Sequence, residues 1–270
     1  MARERPHGVA SIAALRAAAS ITMTSYAMTR YAIYFAPAPE SVWWRRGCEW
    51  LGRDAETGVC SDLPPIAGVP IALQRQLTHN ARRYGFHATL KAPFYLAPGF
   101  NEGHLLSMAQ TFARCQSRLS LPPLEVSLMG AFLALQPVAS DLTSATSVTA
   151  INAFAMRCVS YFDILRAPPS AAELVRRRQS GLTPRQDALL TRWGYPYTEE
   201  AYRFHMTLTE ALTGVEPNAA AALHAAAESC FVAARSVPLQ IDNLAVYREA
   251  SAGAAFELVA RFAFASTTAR

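Results

Sequence analysis

The chain has 270 residues, a hydrophobic content of 51% and a net charge of +5. A chain of this length and hydrophobic content can bury a substantial core, which excludes a mainly disordered protein. The positive charge favours anionic ligands, but no dense basic stripe with interleaved aromatic residues singles out a nucleic acid. Five scattered cysteines, an odd number with no C-x-x-C pair, indicate reduced thiols and a cytoplasmic location.

The N-terminal segment 1–27 differs from the rest of the chain. It is rich in alanine, carries Arg3, Arg5 and Arg16, and its apolar stretch is too short and too broken to span a bilayer. Met28 stands just ahead of the first predicted strand, at residues 30–35. We therefore expect residues 1–27 to be a poorly structured, dispensable extension.

The sequence H-A-T-L occupies residues 87–90 and is preceded by phenylalanine. Its apolar residues alternate with His87 and Thr89, and this period of two predicts a strand on which the two polar side chains share one face. Lys91, the only lysine in the chain, falls on the same face. Its ammonium could approach a bound anion there, and a solvent-facing lysine at a strand end is the alternative.

A helix and two strands are predicted after this motif, and a region of different character follows them. The helix begins at Asn101, and the strands lie at residues 123–128 and 130–136. Residues 139–200 predict a helix at 148–162 and then an arginine-rich helical insertion that ends in W-G-Y-P-Y. This insertion is either a solvated helix face with a turn, or a lid that brings arginine or aromatic groups over a ligand.

The first motif recurs as H-M-T-L at residues 205–208, again after a phenylalanine. Two chance copies of H-x-T-L have a probability on the order of one in a thousand for this composition. By the same alternation His205 and Thr207 share one face of a strand, and Arg203 shares it with them. A helix opened by Pro217 and strands at residues 238–242, 243–248 and 256–264 complete the chain.

The spacing around the two motifs indicates a duplication. His87 precedes Leu124 by 37 residues and His205 precedes Leu239 by 34, so motif, helix and strand repeat at nearly the same spacing. We predict an α+β, two-lobed protein with pseudo-twofold duplicated strand–helix–strand units, whose antiparallel sheets line a central cleft. The predicted lobes are residues 28–138 and 201–270, joined by the helical segment 139–200 into one continuous domain.

A pair of histidines suits acid–base chemistry at a phosphodiester. One neutral imidazole can take a proton from the nucleophile while the other, protonated, gives one to the leaving oxygen. A threonine two residues further along each strand is placed to hold a phosphoryl oxygen. Two histidines without a carboxylate or thiol beside them make a poor metal site, so neither a metal nor a cofactor is expected. Two core histidines bonded across a sheet are the alternative, which the repeat argues against.

The strings Y-G-F-H-A-T-L-K-A-P-F at residues 84–94 and R-F-H-M-T-L-T at 203–209 resemble the 2H phosphoesterases. The signature of that superfamily is two H-x-[ST]-hydrophobic motifs in two similar lobes that face a common cleft. The resemblance covers roughly residue 31 to the C-terminus and is to a bacterial branch associated with phosphonate-utilisation operons. It implies a cyclic or linear phosphodiester substrate, no obligatory metal, and catalytic roles for His87, Thr89, His205 and Thr207.

The sequence thus predicts a metal-independent cyclic phosphodiesterase acting on a ribose-containing small molecule or an RNA end. Lys91 and Arg203 are predicted to bind substrate, and the aromatic residues Tyr34, Tyr84 and Tyr247 are candidates for the cleft wall, with packing as the alternative. Which histidine is the base and which the acid stays open.

Two other functions remain open at the level of the sequence. One is a nucleotide- or RNA-binding module that holds phosphates without turnover. The other is an RNA-end ligase or transesterase, in which an RNA hydroxyl replaces water and binding of RNA depends strongly on salt. The expected partner is a small-molecule phosphodiester or nucleotide, with RNA as a further possibility and no membrane.

Overall fold

A seven-stranded antiparallel sheet organises the protein, whose computed structural model describes residues 29–179 and 181–265. The predicted extension 1–27 lies outside these residues. The strands are β1 (Arg30–Phe35), β2 (Ala88–Tyr95), β3 (Leu119–Ser120), β4 (Leu124–Met129), β5 (Phe132–Pro137), β6 (Met206–Ala211), β7 (Gln240–Ile241), β8 (Asn243–Glu249) and β9 (Phe256–Ala263). β3 and β7 form a separate two-stranded sheet.

Eight α-helices accompany these strands within the described residues. They are α1 (Val42–Leu51), α2 (Ile71–Leu77), α3 (His79–Tyr84), α4 (Glu102–Arg114), α5 (Leu142–Tyr161), α6 (Ala171–Arg178), α7 (Pro184–Trp193) and α8 (Pro217–Arg235). Short 3₁₀ turns lie at Asp163–Leu165 and Glu199–Ala201. The predicted α+β class with antiparallel strands is confirmed.

The order of strands in the large sheet is β4-β5-β6-β2-β1-β8-β9. The hairpin β4–β5 comes from the predicted first lobe, yet it lies beside β6. The hairpin β8–β9 comes from the predicted second lobe, yet it lies beside β1. Each half of the sheet therefore contains strands from both predicted segments, which fits one continuous domain; the boundaries at residues 138 and 201 stay a prediction.

The two motif strands meet at the centre of the sheet. β2 and β6 are antiparallel, and Ala88 is registered opposite Met206. β2 begins at Ala88 and β6 begins at Met206, and the two strands extend in opposite directions from this pair. They therefore pair only around the motifs. Antiparallel register then places His87 opposite Thr207 and Thr89 opposite His205, on one face of the sheet. This point is the pseudo-twofold axis that the duplication implies.

The opposite, apolar face of the motif strands packs on helices α1 and α8. The ring of Phe86 stacks on Phe231 of α8 with centroids 5.7 Å apart. Gly47 of α1 faces the same ring, and a Cβ there would lie only 2.1 Å from it. Trp50 of α1 donates from Nε1 to the carbonyl of Leu208 at 2.9 Å. One helix layer therefore fixes both motif strands from behind.

Helix α5 covers part of the other face, beside β2. It begins earlier than the predicted 148–162 because Asp141 and Ser144 form a capping box. Among the described residues it is the one helix long and apolar enough to cross a membrane by length and composition. Its residues Ile151, Phe154 and Cys158 are completely buried, a pattern typical of the core helix of a globular domain.

Candidate active site

The two motif histidines are held in the same way. Nδ1 of His87 lies 2.8 Å from the carbonyl oxygen of Gly85, and Nδ1 of His205 lies 2.8 Å from that of Arg203. A carbonyl oxygen only accepts, so each Nδ1 carries the proton and donates. The neutral rings therefore keep their lone pair on Nε2, the nitrogen that can receive a proton. The carbonyl two residues before each histidine fixes its tautomer.

A threonine hydroxyl lies beside Nε2 of His87. The hydroxyl of Thr89 lies 3.3 Å from Nε2 of His87 and donates to it. Thr207 lies opposite His87 in the register that Ala88 and Met206 define. The structure thus brings the four predicted catalytic residues together on one face of the sheet.

Burial changes the pKa of both histidines. It lowers the pKa of His87 from 6.5 to about 4, against the effect of the hydrogen bond to Gly85, and the nearby His205 lowers it further. Burial also lowers the pKa of His205, although its hydrogen bond to the Arg203 carbonyl opposes this. Both imidazoles are therefore neutral at pH 7 in the unliganded protein.

The predicted aromatic residues surround His87, but two of them are buried in the core. The ring of Tyr34 stacks on His87 with centroids 3.8 Å apart. Tyr34 and Tyr247 are 1% and 0% exposed, so the prediction that they form a substrate-facing cleft wall needs correction: they pack against the imidazole from the core. Tyr84, half-buried and 6.2 Å from the His87 ring, keeps some surface.

Lys91 is buried, so the alternative of a solvent-facing lysine is wrong. Its Nζ donates to the carbonyl of Val159 at 3.0 Å and to Oδ1 of Asp163 at 3.1 Å. Burial lowers the pKa of Lys91 to about 8, although the neighbouring Asp163 raises it. Asp163 lies 72 residues further along the chain, and no sequence pattern pointed to this pair.

Arg203 and Tyr202 stand just before the second motif. Arg203 is exposed, and its Nη1 donates to the carbonyls of Glu200 and Tyr202, both at 2.7 Å. The hydroxyl of Tyr202 donates to the backbone carbonyl of Thr89 at 2.8 Å. This second bond ties the approach to β6 directly to β2, and sequence reasoning missed it because the alternation around the motif does not reveal a cross-strand partner.

The helical insertion reaches the site through its aromatic residues. Arg177 pairs with Glu173 at 2.9 Å and Arg178 with Asp187 at 2.6 Å, so these arginines are engaged inside the insertion. The loop after α7 instead lines a cavity of about 410 Å³ that also touches Thr89 and His205. Three aromatic residues of this region line the cavity: Trp193, the last residue of α7, and Tyr195 and Tyr197 of the loop.

A glutamate holds this loop in place. Glu199 accepts from Nε1 of Trp193 at 2.7 Å and from Nη2 of Arg185 at 2.6 Å. Its φ of 51° lies in the left-handed region, which a residue other than glycine adopts at some cost. The aromatic wall of the cavity is therefore held by specific bonds.

The remaining described histidines lie away from the motif pair. His104 completes the capping box of α4 with Asn101, and Nε2 of His224 lies 3.1 Å from the carbonyl of Val126. Within residues 29–179 and 181–265, no group of three or more His, Cys, Asp or Glu residues is arranged to hold a metal ion.

An antiparallel α+β fold in which two H-x-T-L strands meet at a pseudo-twofold axis is the architecture that the resemblance to the 2H phosphoesterases implies. This architecture places one histidine from each motif at a single site between the two strands. The chain belongs to the family described as "Protein of unknown function (DUF1045)", whose model matches residues 89–257.

Two curated relatives are named "Ribose 1,5-bisphosphate phosphokinase PhnN". The one from Janthinobacterium sp. (strain Marseille) is 49% identical over 237 residues, which are 87% of this chain and 51% of the relative. The one from Laribacter hongkongensis (strain HLHK9) is 38% identical over 232 residues, 85% of this chain and 50% of the relative. The chain therefore spans about half the length of the curated relatives it matches.

Solved structures also match along most of the chain. E. coli LigT complexed with NADP+ is 13% identical, with a TM-score of 0.38, and the match covers 89% of this chain and 99% of that one. A structure described as a phosphoesterase is 14% identical, with a TM-score of 0.34, and the match covers 88% and 99% of the two chains.

Proposed function

We propose that this protein is a metal-independent phosphoesterase that opens a cyclic phosphodiester, or hydrolyses a related linear one. The substrate is a ribose-containing small molecule or an RNA end. One observation carries the proposal: two imidazoles on neighbouring antiparallel strands each donate from Nδ1 to a carbonyl, which leaves the lone pair of each neutral ring on Nε2. Paired proton acceptors and donors are what phosphodiester hydrolysis requires, whereas binding alone can use arginine or lysine.

The proposed reaction uses water as the nucleophile. One histidine accepts a proton from water through Nε2 as the new bond from oxygen to phosphorus forms. The other, protonated, gives its proton to the ribose oxygen as the bond from that oxygen to phosphorus breaks. Thr89 and Thr207 donate to the non-bridging oxygens. The Thr89 hydroxyl, which bonds to Nε2 of His87 in the free protein, turns to the phosphate and frees that nitrogen.

The strong effect of burial on the pKa of His87 favours one assignment of roles in ring opening. The pKa of His87, lowered to about 4 chiefly by burial, keeps this residue neutral and ready to act as the base. His205 is then the acid, and the charge of a bound phosphodiester favours its protonated form. The roles exchange in the reverse reaction.

This assignment predicts how activity depends on pH. In the free enzyme the base must be neutral, which holds above about pH 4, and the acid must be protonated, which holds below the lowered pKa of His205, itself under 6.5. We therefore expect kcat/KM to fall roughly tenfold per pH unit above about pH 7. A kcat/KM that rises between pH 6 and pH 8 would contradict this assignment of the base and the acid.

The control for the pH profile is the state of folding. A histidine whose pKa is lowered in the folded protein takes up protons on unfolding, so its contribution to stability is lost as the pH falls below 6.5. Circular dichroism at each pH shows whether activity lost at low pH reflects unfolding. Activity lost at high pH without a change in the spectrum reflects deprotonation of the catalytic acid.

The name of the curated relatives describes a different reaction, phosphoryl transfer to ribose 1,5-bisphosphate. The sequence G-x-x-x-x-G-K-[ST] forms a phosphate-binding loop in many phosphotransferases, and this chain does not contain it. Its single lysine, Lys91, lies on β2 and is bonded to Asp163. We propose that the phosphokinase name belongs to the half of those relatives that lies outside the match. A role in phosphonate metabolism in the cytoplasm is part of the same proposal.

An assay of purified protein tests the proposed function. The substrates are 2′,3′-cyclic nucleotides, a cyclic phosphate of ribose and a short RNA ending in a cyclic phosphate, each with and without EDTA. We expect turnover of at least one class at an unchanged rate in EDTA. Loss of turnover in EDTA would overturn the metal-independent mechanism, and phosphate binding without any turnover would indicate the binding module.

A further inference from the structure

A cavity of about 410 Å³ lies next to the histidine pair. Thr89 and His205 form the part of its lining that belongs to the proposed reaction. The rest extends along β2 as far as Phe94 and under the loop after α7. A phosphodiester held between the histidines therefore leaves this adjoining space for another part of the same molecule.

The charge of the lining has one sign. Lys91, Arg166 and Arg203 line the cavity, and none of the described residues that line it is Asp or Glu. Asp163 stands behind the first two cations, accepting from Nζ of Lys91 at 3.1 Å and from Nε of Arg166 at 2.7 Å. One carboxylate thus serves two cations, and Arg203 is bonded to backbone carbonyls alone. The wall keeps an excess of positive charge.

The same groups retain unused hydrogen-bond donors. An ammonium has three donors, and Nζ of Lys91 uses two of them on Val159 and Asp163. Arg166 donates from Nε and Nη2, which leaves Nη1 without a partner among the described residues. Arg203 donates only from Nη1. Charged donors are suited to a phosphate oxygen, and those of Lys91 and Arg166 are also partly desolvated.

A buried hydroxyl in the same wall also has no partner. Thr198 lines the cavity and is 3% exposed, and its Oγ makes no hydrogen bond to any residue in the described ranges. An unpaired buried hydroxyl is unfavourable, and its place beside unused cationic donors is compatible with a ligand that completes this wall. An anionic oxygen would supply the missing acceptor.

We propose that this cavity binds a second anionic group of the substrate, a phosphomonoester, while the phosphodiester lies between His87 and His205. The inference rests on the proposed function and narrows it to sugars or nucleotides that carry both groups. Arg166, Lys91 and Thr198 are the residues that select for the second phosphate. The aromatic rings of Phe94, Trp193 and Tyr195 exclude water from it, which strengthens the charged hydrogen bonds.

Two pairs of compounds test the proposal. One pair is adenosine 2′,3′-cyclic phosphate with and without a 5′-phosphate, and the other is ribose 1,2-cyclic phosphate with and without a 5-phosphate. We expect kcat/KM to be about ten- to a hundredfold higher for the phosphorylated member of a pair, the size of effect that charged hydrogen bonds produce. Isothermal titration with the inactive His87→Asn variant gives the corresponding ratio of Kd values.

The variants Arg166→Gln and Thr198→Val should bring the ratio within each pair toward one, and Arg166→Lys should restore part of it. Arg178→Gln is the matched control, because it removes one arginine of the same insertion that pairs with Asp187 and does not line the cavity. A purely structural role of Arg166 would lower both members of a pair equally and leave the ratio unchanged.

The outcomes separate this inference from the proposed function. Turnover with a ratio of one overturns the second phosphate site and leaves the phosphoesterase standing. No turnover, with tighter binding of the phosphorylated members, supports the site and overturns the phosphoesterase. Both adenosine compounds could also react faster than both ribose compounds, with no effect of the additional phosphate. That result would mean that the aromatic cavity binds a nucleobase, and it would overturn the inference.

Discussion

Replacing either motif histidine with alanine is expected to lower kcat for a cyclic phosphodiester by at least about a hundredfold, the lower end of what a positioned acid or base contributes. In the proposed mechanism, His87→Ala removes the nitrogen that accepts the proton, and His205→Ala removes the group that protonates the leaving oxygen. Steady-state kinetics on the best substrate of the assay panel measures both. A single variant that keeps more than a tenth of the kcat would contradict the two-histidine mechanism.

The control variants separate chemistry from packing. The His87 ring stacks on Tyr34, so alanine leaves a gap as well as removing a base. His87→Asn keeps a side-chain N–H for the Gly85 carbonyl and has no titrating nitrogen, and we expect it to be as inactive as alanine. His79→Ala, at an exposed position at the start of α3, should keep full activity.

Gly85→Ala is expected to destabilise the protein by roughly 2–5 kcal/mol, the sum of backbone strain and an overfilled contact. Gly85 has a φ of 80° and a ψ of 171°, a combination almost restricted to glycine. A Cβ there would lie 2.5 Å from the Cβ of Ala55. Since the Gly85 carbonyl also fixes the tautomer of His87, we expect activity to fall together with stability. Urea unfolding monitored by fluorescence gives the free energy of unfolding.

Gly68→Ala is the matched control for this substitution. Gly68 also has a φ of 80°, but nothing lies within 4 Å of its added Cβ. Gly68→Ala should lower the free energy of unfolding by only about 1 kcal/mol, because it adds backbone strain without a steric contact. If the two substitutions destabilise the protein equally, the contact with Ala55 is not what makes Gly85 necessary.

Local patterns in the sequence predicted several of the elements and the face that the motif side chains share. The strand predicted at residues 30–35 coincides with β1, and the helix predicted from Asn101 begins at Glu102. The alternation around the first H-x-T-L motif correctly placed His87 and Thr89 on one face, since successive side chains of a strand point in opposite directions. These features depend on neighbours in the chain, which a sequence displays directly.

The contacts that the sequence did not reveal join distant segments. Asp163 binds Lys91, and the Tyr202 hydroxyl binds the backbone of Thr89. Periodicity predicts which face a side chain occupies but gives no partner on another element. The sequence left Tyr34 and Tyr247 open between cleft wall and packing, because their burial depends on where β1 and β8 lie in the sheet.

The exchange of hairpins between the two halves of the sheet makes the proposed activity depend on strands from both predicted lobes. A fragment ending near residue 138 would have β4–β5 without β6, and β1 without β8, so neither half of its sheet could be completed. The histidines come together only when residues 118 positions apart in the chain pair at Ala88 and Met206. Such non-local pairing slows folding. Catalysis should therefore be the last property to recover on refolding, after the helices have regained their circular dichroism.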